Sequence, residues 1–293
     1  MSSTRIGFIG LGVMGEPICR NMLQKSGAAM RVFDLGSAPV ARLMTHGAHR
    51  AEAIADLARE VDILFLSLPG GPQVEAVVLG KDGILAHGRS GLTVVDMSTA
   101  PVSLTREIAA KLAAKGIDFA DAPVARTRQA AEDGTLSVMV GGADDVFVRI
   151  QPLLAHAASE ITHCGPVGCG QVVKILNNMV LFQTVVALSE ALSLGEAAGV
   201  DAELLFSTLS KGSADSFALR NHGMKAMLKN NYPEGAFPTD YALKDVSYAL
   251  DLAQSTGFRA HGAELAKKRM EKSKAAGFGA AYFPVLARVT DKA

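Results

Sequence analysis

The sequence predicts an α/β, doubly wound N-terminal domain followed by an all-α C-terminal domain, the two joined by a long interdomain helix. Three observations carry this expectation. Short apolar runs alternate with helical patterns through the first half, a glycine-rich turn directly follows the first run, and no convincing strand follows residue 165. Strands that alternate with helices argue for a parallel sheet, and continuous apolar strands suit a sheet covered on both faces.

Residues 5–9 read as the first strand and 14–25 as the first helix, with 30–33 as the second strand. Residues 38–46 and 54–60 carry helical periodicity, 63–67 and 92–96 read as buried strands, and 103–114 as an amphipathic helix. Residues 117–121 and 136–140 read as further strands. The pattern changes at Cys164-Gly165-Pro166-Val167-Gly168, after which 171–198 runs as one long apolar helix ended by Gly199. Residues 202–209, 241–254 and 262–276 follow as helices, so the domains are expected to be 1–165 and 166–293.

At 293 residues, two domains are the natural expectation. Trp is absent and aromatics make up 5%, so the core is expected to be aliphatic. Lys plus Arg equals Asp plus Glu at 29 each, which gives no net field for nucleic acid or an anionic membrane. Three cysteines (Cys19, Cys164, Cys169) are an odd count that argues against a disulfide framework and fits the cytoplasm. Cys19 reads as a small core residue. The apolar stretch 6–14 is broken by glycines and lacks a following cleavage pattern, so it does not read as a signal peptide. No charge-free run of membrane-spanning length is apparent. No metal site is assigned.

Gly10-Leu11-Gly12-Val13-Met14-Gly15 matches G-x-G-x-x-G between a strand and a helix, the context in which the motif binds a dinucleotide. The first glycine serves the tight turn, the second the approach of a pyrophosphate, and the third close helix–strand packing. The helix N-terminus offers free N–H groups to the phosphates. Asp34 ends the second strand, where a carboxylate accepts both ribose hydroxyls and repels a 2′-phosphate, which favours NAD over NADP. The other reading of Asp34 is a solvated turn residue. Leu68, Pro69, Ser98 and Thr99 follow later strands and line the same crevice or form ordinary loops.

On these motifs the sequence resembles the β-hydroxyacid dehydrogenase family, the 3-hydroxyisobutyrate dehydrogenase-like enzymes, over nearly its whole length. Residues 7–17 resemble the family's opening segment, Asp121-Ala122-Pro123-Val124 with 134–142 its substrate segment, Gly168-Cys169-Gly170 with Lys174, Asn177 and Asn178 its catalytic helix, and Lys244-Asp245 its C-terminal signature. The resemblance implies a Rossmann domain, a helical second domain, and a homodimer or homotetramer acting on a small anionic substrate. It also implies that Lys174 is the general acid of carbonyl reduction and general base of alcohol oxidation, with Asn178 holding Lys174 or the substrate. Asn177 would contact substrate, and Lys244, supported by Asp245, would close over nicotinamide and substrate. The residues agree in part: Lys174, Asn177 and Asn178 stand at i, i+3 and i+4 in an apolar helix. Desolvation of an ammonium favours its neutral form, which suits proton transfer. By themselves they equally allow a lysine that snorkels to solvent.

Where the family reads Ser-Gly-Gly after Asp-Ala-Pro-Val, this chain has Ala125-Arg126-Thr127. A guanidinium there suits bidentate binding of a strongly anionic head group. Arg-Thr resembles the family's sulfolactaldehyde reductase branch, which implies reduction of 3-sulfolactaldehyde to 2,3-dihydroxypropane-1-sulfonate. Leu181 stands where that branch has serine, which keeps open succinate semialdehyde or another carboxylate semialdehyde, of the 3-hydroxyisobutyrate or tartronate semialdehyde type. Arg126 as a surface residue and the chain as a non-catalytic dinucleotide-binding protein are the remaining alternatives. Thr99-Ala100-Pro101 and Ala281-Tyr282 also depart from the family pattern.

Overall fold

The computed structural model describes residues 4–289. The chain divides into two compact units, 1–174 and 175–293, and the division falls inside a continuous helix.

The first unit opens with β1 (Ile6–Ile9), α1 (Gly15–Ser26), β2 (Met30–Phe33), α2 (Ser37–Met44), β3 (His49–Arg50), α3 (Ile54–Glu60) and β4 (Ile63–Leu66). It continues with α4 (Gly71–Leu79), α5 (Ile84–His87), β5 (Thr93–Asp96), α6 (Val102–Ala113), β6 (Asp118–Asp121), β7 (Val124–Ala125), α7 (Arg128–Asp133), β8 (Leu136–Gly141), α8 (Asp144–Leu154) and β9 (Ala158–Gly165). The strand order is β3-β2-β1-β4-β5-β6-β8-β7, with β9 on β8. The first six strands are mutually parallel, as expected. β8 runs antiparallel to β6 and to β7, so the sheet is mixed beyond β6.

Alternation within the apolar strands divides their side chains between two cores. Ile6, Phe8, Ile63, Phe65 and Val95 pack with Ile18 and Met22 of α1, whereas Ile9, Leu64, Leu66 and Val94 pack with Leu57 and Ile108. β1, β4 and β5 are buried on both faces, which is why they lack the polar–apolar alternation of a one-sided sheet.

The second unit contains most of α9 (Cys169–Ala197), then α10 (Ala202–Leu209), a π-helical segment Leu219–Met227, α11 (Thr239–Ser255) and α12 (His261–Ser273). Phe182, Val185, Phe206, Leu219, Val246, Met270 and Phe283 form its core. The expectation of an aliphatic core needs one correction. Phe8, Phe65, Phe182, Phe206 and Phe283 are among the largest fully buried side chains. By length and composition α9 is apolar enough to cross a membrane. Ile175, Phe182, Val185 and Val186 are buried in the protein, however, and Lys174 and Glu190 interrupt the apolar run of the helix.

Candidate active site

The glycine turn has the form that the motif requires. Gly10 adopts φ +92°, and a Cβ there would lie 2.2 Å from the Ser67 carbonyl oxygen. A Cβ on Gly15 would lie 2.0 Å from the Gly10 carbonyl oxygen, so both glycines are dictated by close backbone approach. At Gly12 a Cβ would meet nothing within 4 Å, so its surface is open to a ligand. No side chain caps the start of α1. The Glu16 and Ile18 amides of its first turn donate to the Gly12 and Met14 carbonyls, and Pro17 has no N–H, so an anion is favoured there by the positive end of the helix dipole. Leu11 belongs to the buried turn, Val13 is exposed, and Met14 is half-buried as the residue before α1. The acid in that turn, Glu16, is neutralised by two bonds from Arg42, at 2.6 and 2.7 Å, which hold its carboxyl below the usual range.

Asp34 follows β2 and accepts the Leu11 amide at 2.6 Å through Oδ2 and the Gly36 amide at 2.7 Å through Oδ1. It is thus tied to the glycine turn, and each oxygen keeps a lone pair for a ribose hydroxyl. The residues present fit a dinucleotide: a bare glycine at position 12 open to a ligand, the positive end of a helix behind it and an oriented carboxylate.

Beyond β4 and β5 the loops are cross-linked. The Leu68 amide donates to Ser98 Oγ at 2.9 Å, and the Ser98 amide donates to Asp96 Oδ1 at 2.9 Å. Pro69 is exposed and Thr99 half-buried beside them. The early proline of Thr99-Ala100-Pro101 has a packing partner, because a Cβ on Gly71 would lie 2.7 Å from Pro101 Cδ. Asp96 is fully buried, its Oδ2 meets no partner among the described residues, and desolvation pushes its carboxyl up to about 7.

Asp121, at the end of β6, receives the N-terminus of α9. Its Oδ1 accepts the Gly168 amide and its Oδ2 the Gln171 amide, both at 2.7 Å. Burial raises its carboxyl to about 6 against the lowering effect of these bonds. Glycine is required on both sides: a Cβ on Gly141 or Gly170 would lie 2.5 or 2.8 Å from an Asp121 oxygen. Lys174 follows one turn later and is only 9% exposed. The sequence reading assigned no role to Asp121 or Gln171. Their signal was a carboxylate closing an apolar strand, and an amide three residues before a lysine in an apolar helix.

In the second unit, Asn178 Nδ2 donates to Asp245 Oδ2 at 2.8 Å, and Asn178 Oδ1 accepts Asn177 Nδ2 at 3.1 Å. Lys244 Nζ lies 3.3 Å from Asp245 Oδ1 and stands 5.2 and 5.6 Å from the ring centres of Tyr241 and Tyr248. The pairing of Lys244 with Asp245 is thus formed, while the tyrosines at i−3 and i+4 were not anticipated.

Arg126 is placed differently from its neighbours. It adopts φ +86°, in the left-handed region that glycine favours. Its guanidinium donates to the Thr135 carbonyl and, at 2.8 Å, to Ser159 Oγ. Thr127 caps α7 by accepting the Ala130 amide at 3.3 Å, and Ala125 is buried on β7 opposite Ser137. Leu181 packs against the second unit's core, and Tyr282 bonds through its hydroxyl to His222 Nδ1.

Residues 5–165 match the family model described as the NAD-binding domain of 6-phosphogluconate dehydrogenase. Residues 168–289 match the one described as the NAD-binding of NADP-dependent 3-hydroxyisobutyrate dehydrogenase. The chain is 38% identical to 2-(hydroxymethyl)glutarate dehydrogenase of Eubacterium barkeri, over 94% of this chain and 91% of that protein. It is 36% identical to 3-hydroxyisobutyrate dehydrogenase of Pseudomonas aeruginosa, over 86% of each. The solved structure of Mycobacterium tuberculosis 3-hydroxyisobutyrate dehydrogenase with L-serine superposes with a TM-score of 0.89. Its identity is 30%, with 98% of this chain and 99% of that one covered.

Proposed function

Because the chain belongs to the β-hydroxyacid dehydrogenase family, a family of nicotinamide-dependent oxidoreductases, we propose that it interconverts a small anionic aldehyde and its hydroxy acid with NAD(H). The observation that carries this reading is Lys174. It is a buried ammonium on an apolar helix whose first turn is fixed to Asp121 one turn before it. Preference for NAD rests on the Asp34 carboxylate, held against the glycine turn where a 2′-phosphate would meet its charge.

The bound nicotinamide supplies the hydride that is exchanged with the substrate's carbinol carbon. In reduction, Lys174 Nζ gives a proton to the carbonyl oxygen as that oxygen gains negative charge. In oxidation, the neutral amine takes the proton from the hydroxyl. Positioned proton transfer of this kind contributes roughly 10²–10⁴-fold to rate. Asn178 is assigned the positioning of the asparagine–aspartate cluster, with Asn177 beside it as a substrate contact. Lys244, held by Asp245, is assigned as a cation for the anionic ligand.

Our finer reading of the substrate is 3-sulfolactaldehyde, reduced to 2,3-dihydroxypropane-1-sulfonate, and Arg126 with Thr127 and Ala125 supports it. A second reading is a dicarboxylic semialdehyde, for which succinate semialdehyde is the simplest probe. It is supported by the Eubacterium barkeri relative, whose named substrate, a glutarate, carries two carboxylates. We place the enzyme in the cytoplasm, supported by three free cysteines, and read it as a homodimer or homotetramer. The exposed Val173, Leu176, Val180 and Leu194 of α9 support that assembly.

The test is NADH consumption with sulfolactaldehyde, succinate semialdehyde, tartronate semialdehyde and methylmalonate semialdehyde, with NADPH in parallel. A kcat/KM highest for sulfolactaldehyde upholds the sulfonate reading. Preference for any of the three carboxylate semialdehydes replaces it with a carboxylate reading, succinate semialdehyde upholding the second reading, and no turnover of any member overturns the proposed activity.

A further inference from the structure

Gln171 is fully buried in the first turn of α9, and its side-chain amide is used at both ends. Oε1 accepts the Ala100 amide at 3.2 Å and Nε2 donates to the Ser98 carbonyl at 2.8 Å, while its own backbone amide donates to Asp121 Oδ2 at 2.7 Å. Ser98 is held in turn by the Leu68 amide on its Oγ and by Asp96 through its own amide. One side chain therefore bolts the loop after β5 to the helix that carries Lys174, three residues further on.

A primary amide meets both demands of that loop at once and is neutral at every pH. It needs an acceptor for the Ala100 N–H and a donor for the Ser98 carbonyl, separated by the width of Thr99. A fully satisfied buried pair of this kind rigidifies what it joins. The joined parts are the loop proposed to face the cofactor and the helix turn proposed to set the proton donor. We infer that Gln171 is a positioning residue for the dehydrogenase reaction, fixing Lys174 in register with the Ser98–Thr99–Ala100 loop. This rests on the proposed dehydrogenase activity. The register matters because a displacement of about 1 Å in a reacting group costs on the order of 10²-fold in rate.

Two variants test it. Gln171→Leu removes both bonds at similar volume. Gln171→Glu keeps the acceptor for Ala100, but as a carboxylate presents an oxygen to the Ser98 carbonyl, and as a neutral acid restores the missing donor. The charged and titratable groups around this joint are Asp121 on β6, which accepts the Gln171 amide, Arg106 and Cys164, which interact with Asp121, Asp96 on β5, which accepts the Ser98 amide, and Cys169 and Lys174 on α9 itself. All are present in wild type, so the variant is read as a ratio to wild type at each pH.

Gln171→Leu is expected to lower kcat by about 10²-fold while the NADH dissociation constant, from fluorescence titration, stays within a few-fold of wild type. Amide hydrogen exchange at Ala100 should quicken in that variant and in no distant strand. Gln171→Glu should regain activity relative to wild type as pH falls and its carboxyl becomes protonated. Unchanged kcat in Gln171→Leu, or equal losses in NADH affinity and kcat, would overturn the inference. So would a Glu variant whose ratio to wild type does not vary with pH. If wild type turns over no hydroxy acid, the dehydrogenase reading fails. Faster Ala100 exchange with intact NADH affinity would still uphold the Gln171 anchor, and unaltered exchange would overturn it.

Discussion

Asn178 Nδ2 donates to Asp245 Oδ2 at 2.8 Å across 67 residues of sequence, and the two side chains are 2% and 4% exposed. A buried amide and a buried carboxylate satisfy one another here, and the second carboxylate oxygen is paired with Lys244. Asp245→Ala removes an acceptor of the amide and a counter-charge of the lysine. A hydrogen bond to a charged group contributes about 1.5–3 kcal/mol. The midpoint of urea unfolding is expected to fall accordingly, and Asp245→Asn, which keeps an acceptor, to recover most of that loss. Equal stability of wild type and Asp245→Ala would show that the cluster is not coupled.

Lys174→Ala is expected to lower turnover roughly 10²–10⁴-fold and leave NADH affinity close to wild type, because the dinucleotide contacts argued above lie in the glycine turn and at Asp34. Single-turnover measurement of hydride transfer checks it. Retained turnover would remove the acid–base role.

Asp34 governs cofactor choice if its carboxylate faces the ribose. Asp34→Asn keeps an acceptor for Leu11 and removes the charge. The ratio of NADPH to NADH in kcat/KM should rise by about tenfold, the scale of a single charge-assisted contact of about 1.5 kcal/mol. An unaltered ratio would make Asp34 a support of the glycine turn alone.

Arg126 carries two separable effects. Its φ of +86° costs on the order of 1–2 kcal/mol that glycine would not incur. Arg126→Gly relieves this and loses only exposed bonds to Thr135 and Ser159. The variant should therefore melt no lower than wild type, while KM for the anionic aldehyde rises at least about thirtyfold, the lower range for truncating a charged contact. A lower melting temperature with unchanged KM would assign Arg126 to the bonds it makes with Thr135 and Ser159 and to nothing else.

The elements legible in sequence were those whose environment is uniform along the chain. β1 and β4 carry no polar side chain, β2, β5 and β6 set buried apolar residues beside one or two polar ones, and the expected spans agree with the observed ones to within a residue at either end. β9 escaped notice because its residues Ser159, Glu160 and Thr162 are exposed and offer no apolar run. α8 was obscured by Pro152 within it, and α4 by its Gly-Pro opening. Lys174 and Asp34 stood out as charges in an apolar helix and at a strand end, and Asp245 through the resemblance of Lys244-Asp245 to the family's C-terminal signature. The partners that orient them did not, because Asp121 lies 47 and 50 residues from the amides it accepts and Gln171 lies 71 and 73 residues from its loop partners. No local spacing encodes such pairings.

The two units should respond oppositely to acid. In the first, Asp96 has a folded pKa of about 7, above its unfolded value, so the folded state binds the proton more tightly. Its ionised form is therefore a penalty that grows as pH rises from the unfolded carboxyl range towards 7 and disappears as pH falls. In the second, burial lowers His222 to about 4, and its Nε2 meets no partner among the described residues. Its contribution is full above the unfolded imidazole range near 6.5 and is lost as pH falls from there through about 4. Each slope is about 1.4 kcal/mol per pH unit at most. Asp96→Asn should thus be more favourable relative to wild type at pH near 7.5 than near 5, about 2.5 units apart. His222→Phe should show the reverse trend, gaining on wild type as the solution is acidified. Urea unfolding of the three proteins across that range measures both, and parallel pH profiles would show that neither group is buried in the ionisation state described.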